Sequence, residues 1–68
     1  MSLSQEEHNE LEAKVHTAFN YPELLTDWER EFTSNMVDKF ERFDKVFLST
    51  KQIAIIDKIY EKVTEEIG

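Results

Sequence analysis

The chain has 68 residues, which bounds it to one domain. A domain this small buries only about 60% of the surface its unfolded chain exposes. It has no cysteine, so no disulfide supports it, no thiolate metal site is available, and side-chain packing alone must hold it together. Fifteen acidic residues against eight Lys and Arg give a net charge of −7, which argues against a simple electrostatic DNA binder.

One Gly and one Pro argue for helices over a turn-rich β fold. Three helices are predicted, each opened by the same device. Ser4–Glu7, Thr26–Glu29 and Ser49–Gln52 all match the capping box, in which a hydroxyl accepts from the N3 amide and a Glu or Gln reaches back to the cap amide. Helix 1 should run from Gln5 to Phe19, with Leu11, Val15, Ala18 and Phe19 on its apolar face and acids in its first turns, where the helix dipole favours them. Asn20-Tyr21-Pro22 stops it. Pro22 disfavours helix at Tyr21 and is suited to open a short helical turn near residues 22–25.

Helix 2 should run from Asp27 to Phe43. Leu25, Trp28, Phe32, Met36, Phe40 and Phe43 form its apolar stripe, and Trp28, Phe32, Phe40 and Phe43 are predicted to be core. Val46, Phe47 and Leu48 are too apolar for a free connector and should pack on the core, with Phe47 and Tyr21, on connectors, the aromatics expected to be partly exposed. Helix 3 should run from Thr50 to Ile67. Leu48 and Ile53 are placed for a hydrophobic staple, and the wide face of Ile53, Ile56, Ile59, Tyr60, Val63 and Ile67 predicts a central element touched by both other helices. The fold expected over residues 1–68 is all-α, a compact three-helix bundle.

Charge is unevenly placed. Residues 1–31 carry eight acids against Lys14 and Arg30, a balance of −6, and residues 32–68 carry seven acids against six bases, a balance of −1. Lys39, Arg42, Lys45 and Lys51 fall at the helix 2–helix 3 end, beside helix 3 amides suited to a phosphate. Lys39 and Arg42 also complement the C-terminus of helix 2, and Lys62 is spaced to pair with Glu66. Lys51 has no such account, because a lysine in a first turn opposes the dipole.

Other constellations read blandly. His8, Glu12 and His16 are spaced i, i+4, i+8, but the two histidines lie about 12 Å apart along the axis and cannot share an ion, so a solvated face is expected. The carboxylates form no pair in a pocket and no glycine-rich phosphate loop exists, so neither an enzyme, a cofactor nor a small-molecule substrate is expected. The polar, acidic start does not read as a signal peptide and no apolar run reaches the ~18 residues of a membrane span, so a soluble, cytoplasmic protein is expected.

Residues 24–62, LLTDWEREFTSNMVDKFERFDKVFLSTKQIAIIDKIYEK, resemble a short module with the pattern L-[ST]-x-W-E-x-x-F followed by L-S-x-K-Q-x-x-x-[IL]-x-x-I-x-x-K. The matching residues are Leu25, Thr26, Trp28, Glu29 and Phe32, then Leu48, Ser49, Lys51, Gln52, Ile56, Ile59 and Lys62. Such modules occur in bacteriophage proteins and near helicase-like DNA-processing proteins. The chain is similar to the small helical companions encoded beside the recombination helicase of T4-type phages, which look akin to accessory nucleic-acid-binding domains of RecQ-type helicases.

The resemblance implies a non-enzymatic accessory module for DNA recombination, repair or replication, acting in the host cytoplasm. Its partner would be single-stranded or branched DNA, bound weakly, or a helicase. The contacts expected are Lys39, Arg42, Lys45, Lys51 and Gln52. The rival reading is an acidic adaptor or inhibitor that docks on a basic protein surface through Glu6, Glu7, Glu10 and Glu12 of helix 1.

Overall fold

Each of the three capping boxes closes as its spacing predicts. The computed structural model describes residues 3–68 and contains α1 (Gln5–Phe19), a 3-10 turn (Pro22–Leu24), α2 (Asp27–Arg42) and α3 (Thr50–Ile67). The Ser4, Thr26 and Ser49 hydroxyls accept from the N3 amides at 3.2, 3.1 and 3.1 Å. Glu7, Glu29 and Gln52 accept in return from the cap amides at 3.2, 2.9 and 2.9 Å. Such a cap contributes about 1 kcal/mol relative to Ala. Pro22 acts as expected: Tyr21 leaves the helical region at φ −126°, and the Leu25 amide closes the 3-10 turn on the Pro22 carbonyl at 3.1 Å.

The three helices form a bundle with principal extents of 30 × 20 × 19 Å. Leu11, Val15, Met36, Val37, Phe40, Val46, Leu48 and Ile56 make one buried cluster toward the α2–α3 connector. Ala18, Leu25, Ile59 and Val63 make a second toward the 3-10 turn, and Phe32 packs against both. Domain bounds of 1–68 include residues 1 and 2, which lie outside the described residues.

The order of the layers differs from the sequence expectation. Among the described residues α1, not α3, has its backbone close to both other helices. Its inward residues include the short Ala18, 2% exposed, which admits a neighbouring backbone. The isoleucine-rich face of α3 is only partly covered: Ile56, Ile59 and Val63 are buried, Ile53, Ile55 and Tyr60 are half-buried, and Ile67 is exposed.

Two residues assigned to the helix 2 core are outside it. Trp28 is 59% exposed and Phe43 57% exposed, whereas Phe40 is buried and Phe32 half-buried. At about 100° per residue, a stripe drawn through every fourth position drifts about 40° per step, so Trp28 stands about 120° around the helix from Phe40. The buried line instead runs Thr33, Met36, Val37, Phe40. Trp28 lies stacked on Phe32, with centroids 5.4 Å apart and planes 14° from parallel.

Phe43 leaves the helix one residue early, at φ −121° and ψ 134°, and so turns off the stripe. The connector after it alternates: Val46 and Leu48 are buried at 3% and 1%, and Phe47 between them is exposed. Period-two alternation is what extended backbone imposes. Phe47 is therefore solvent-facing, and only its two neighbours pack on the core.

Candidate nucleic-acid interface

The four bases singled out by the sequence sit on consecutive elements at one end of the bundle. Lys39 and Arg42 occupy the last turn of α2, Lys45 the connector and Lys51 the first turn of α3. Lys39 is half-buried, and Arg42, Lys45 and Lys51 are exposed. Arg42 is not free of partners: its Nε donates to Asp38 Oδ1 at 3.0 Å. Asp38, Glu41 and Asp44 lie in the same stretch, leaving residues 38–52 one positive charge in a chain of −7.

Gln52 has a structural task. Its Oε1 accepts the Ser49 amide and its own amide donates to Ser49 Oγ, so that amide of α3 is not offered to a phosphate. The remaining side-chain NH2 of Gln52 is the part left to a ligand.

Two aromatics complete the constellation, and one of them was hidden from the sequence. Phe43 and Phe47 are both exposed and interleave with Arg42, Lys45 and Lys51 along the chain. Helical spacing assigned Phe43 to the core. The signal that could have freed it was the alternation of Val46, Phe47 and Leu48, which requires α2 to end early enough for an extended run. A cleft of about 430 Å³ opens between this connector and the start of α1, with Lys45 and Phe47 on one side and Gln5 and His8 on the other.

His8 corrects a second expectation. The face of His8, Glu12 and His16 is half-buried and not a solvated surface. His8 lies seven residues before Val15, hence on the buried stripe of α1, and packs edge-on against Phe40 at 5.0 Å and 75°. Both its ring nitrogens are buried and have no partner among the described residues. No group of three or more His, Cys, Asp or Glu side chains placed to hold a metal occurs among the described residues.

Two ion pairs tie the helices to one another. Lys14 of α1 meets Asp57 of α3 at 2.7 Å and lies 5.6 Å from the centroid of the Tyr60 ring. The hydrogen bond to Asp57 holds the Lys14 ammonium above its ordinary value, against the downward push of burial. Lys62 of α3 pairs with Glu29 of α2 at 2.7 Å, across helices and not with Glu66 on its own. Burial pushes the Glu29 carboxyl up, but the Lys62 ammonium and the Thr26 amide together hold it below the ordinary carboxylate value.

No helix among the described residues is long and apolar enough to cross a membrane. No protein-family model matches the chain, and no match was found among curated proteins or solved structures.

Proposed function

We propose that the chain is a non-enzymatic accessory module of DNA recombination, repair or replication that contacts single-stranded nucleic acid weakly through the α2–α3 end. The observation that carries this reading is the exposure of Phe43 and Phe47 among Arg42, Lys45 and Lys51. Single-strand binding needs cations that follow the backbone and aromatic faces on which bases stack, and stacking tolerates any sequence because every base has a π face. Lys39, Arg42, Lys45 and Lys51 supply the charge, the Gln52 amide a further donor, and Phe43 and Phe47 the platforms.

The cleft beside Lys45 and Phe47 is within the size range of a ligand pocket and has room for an unstacked base. Binding is weak in this reading, because three acids share the surface and the chain as a whole repels phosphate. The likeness of residues 24–62 to helicase-associated modules supports a DNA-processing helicase as the enzyme it works beside.

An anisotropy titration of labelled single-stranded, forked and duplex DNA at low salt tests the proposal. Single-stranded and forked DNA should bind, duplex should bind less, and the affinity should fall with salt at a slope of about −0.7 per phosphate neutralised. No binding at high protein concentration removes the nucleic-acid reading.

A second reading, an acidic adaptor acting through α1, has one observation in its favour. Lys14 is the only Lys or Arg of α1 and is committed to Asp57, so Glu6 and Glu10 are left without an ion pair among the described residues. Capture of a basic protein that is lost when Glu6 and Glu10 are changed to Gln, with DNA binding absent, selects this reading.

A further inference from the structure

The bases of the chain divide by whether an acid holds them. Lys14, Arg30, Arg42 and Lys62 are in ion pairs. Lys39, Lys45, Lys51 and Lys58 have no ion pair among the described residues. The first three belong to the connector end. Lys58 does not: it is exposed on α3, seven residues after Lys51 and four before Lys62. At about 100° per residue, Lys51, Lys58 and Lys62 stand within about 40° of one another and climb about 16 Å along α3. The acids between them, Asp57 and Glu61, stand about 120° and 80° off that line. Lys62 reaches Glu29 of α2 at 2.7 Å, so the line runs along the flank of α3 that faces α2.

An aromatic pair stands at the far end of this line. Trp28 precedes Glu29, the acid that Lys62 holds, and is 59% exposed. One side of its ring lies on Phe32, with centroids 5.4 Å apart and planes 14° from parallel. Phe32 and Ile55 are half-buried and pack on the same cluster, so the floor between α2 and α3 is apolar here. A space of about 250 Å³ opens beside the indole, lined by Trp28, Glu31, Phe32 and Asn35. Glu31 repels phosphate, which leaves the α3 lysines as the side for a backbone and the α2 side for bases. There the Glu31 carboxylate and the Asn35 amide can meet the polar edge of a base.

We propose that a single strand bound at the connector continues along Lys51, Lys58 and Lys62 and stacks a second base on Trp28, with Phe32 behind it. The inference rests on the nucleic-acid reading of the connector and extends that site to a second station. Trp28 lies about 22 Å along α2 from Phe43, so the two stations need a strand of several nucleotides. Lys51 then has a task that neither cap nor dipole gives it. It stands where the connector bases meet the α3 line, and joins the two into one track.

The test titrates the full chain at low salt with unstructured single strands of about four and about twelve nucleotides, within the span of single-strand sites. Anisotropy reports binding, and the fluorescence of Trp28, the only Trp of the chain, reports stacking on it. The long strand should bind more tightly than the short one and should quench Trp28. Trp28→Ala should reduce the ratio of the two affinities at least about fivefold, the share of one stacked base. The ratio removes the statistical gain of a longer strand, which both proteins share. Lys58→Gln should lower the salt slope of the long strand by about 0.7. Circular dichroism checks that both variants are folded, and the wild-type quenching needs neither. Long-strand binding with Trp28 fluorescence unchanged, or an unchanged ratio in folded Trp28→Ala, overturns the second station and leaves the connector site standing. No binding of either strand overturns the connector reading and this inference with it.

Discussion

Lys62 on α3 meets Glu29 on α2 at 2.7 Å, and the oxygen it meets is the one that accepts the Thr26 amide at 2.9 Å. One carboxylate thus caps α2 and ties α2 to α3, the two helices that carry the candidate interface. Glu29→Gln keeps the capping box, because Gln serves at N3, but removes the charge. It should lose about 0.5–1 kcal/mol, in the range of partly exposed ion pairs. Glu29→Ala loses cap and tie together and should cost about 1–2 kcal/mol. A double-mutant cycle of Glu29→Gln with Lys62→Met, by urea denaturation, should give a coupling of about 0.5 kcal/mol or more. Additive losses would show that the two groups do not interact.

The two cross-helix pairs act at opposite ends of the pH scale. Glu29 titrates below its ordinary value of 4.5 in the folded chain, so its contribution is present above that pH and is lost as pH falls through the lower folded value. Lys14 titrates above 10.5, so its contribution is present below that pH and is lost as pH rises through the folded value. The stability difference between the wild type and Glu29→Gln should therefore be present at neutral pH and vanish in acid. That between the wild type and Lys14→Met should be present at neutral pH and vanish in alkali. Thermal melts across the pH range measure both.

Leu48 and Phe47 are neighbours with opposite roles. Leu48 is 1% exposed at the end of the connector, just before the cap of α3, and Leu48→Ala should cost about 2–5 kcal/mol. A chain of this length has a total stability of about 3–10 kcal/mol, so that variant should be partly unfolded at room temperature. Phe47→Ala should change stability by less than about 0.5 kcal/mol, as an exposed side chain. Equal destabilisation by the two variants in denaturant melts would mean that the Phe47 ring is packed.

The same contrast can be read in DNA binding. Phe47→Ala should weaken single-strand affinity by about 1–3 kcal/mol while leaving the salt slope unchanged, because it removes stacking and no charge. Lys45→Ala should reduce the slope by about 0.7, the share of one phosphate on a single strand. Salt titrations of the two variants separate the contributions. A loss of slope with Phe47→Ala, or none with Lys45→Ala, would mean that the residues do not divide the work in this way.

Helix starts were the most legible part of the sequence, because a capping box is local: Ser4, Thr26 and Ser49 each carry their partner three residues on. The bases of the candidate interface were legible for the same reason, being placed by chain connectivity alone. What could not be read depended on direction around a helix or on a partner distant in sequence. Trp28 fits an i, i+4 stripe and still faces solvent, because the stripe drifts while the core stays fixed. Lys62 has an acceptable local partner in Glu66 and takes Glu29, 33 residues away, instead. Phe43 depended on where α2 ends, and a single residue there turned a core assignment into an exposed ring. His8, placed with the polar residues by type, lies on the buried stripe by position.

The central claim is that the α2–α3 end binds single-stranded nucleic acid, and a residue-resolved shift map tests it most directly. A 15N-labelled sample titrated with a short single-stranded oligonucleotide at low salt should show saturable shifts at Arg42, Phe43, Lys45, Phe47 and Lys51, with Glu6, Glu10 and Phe19 unmoved. Shifts that are absent at saturating oligonucleotide, or that appear with equal size across the whole surface, would contradict it.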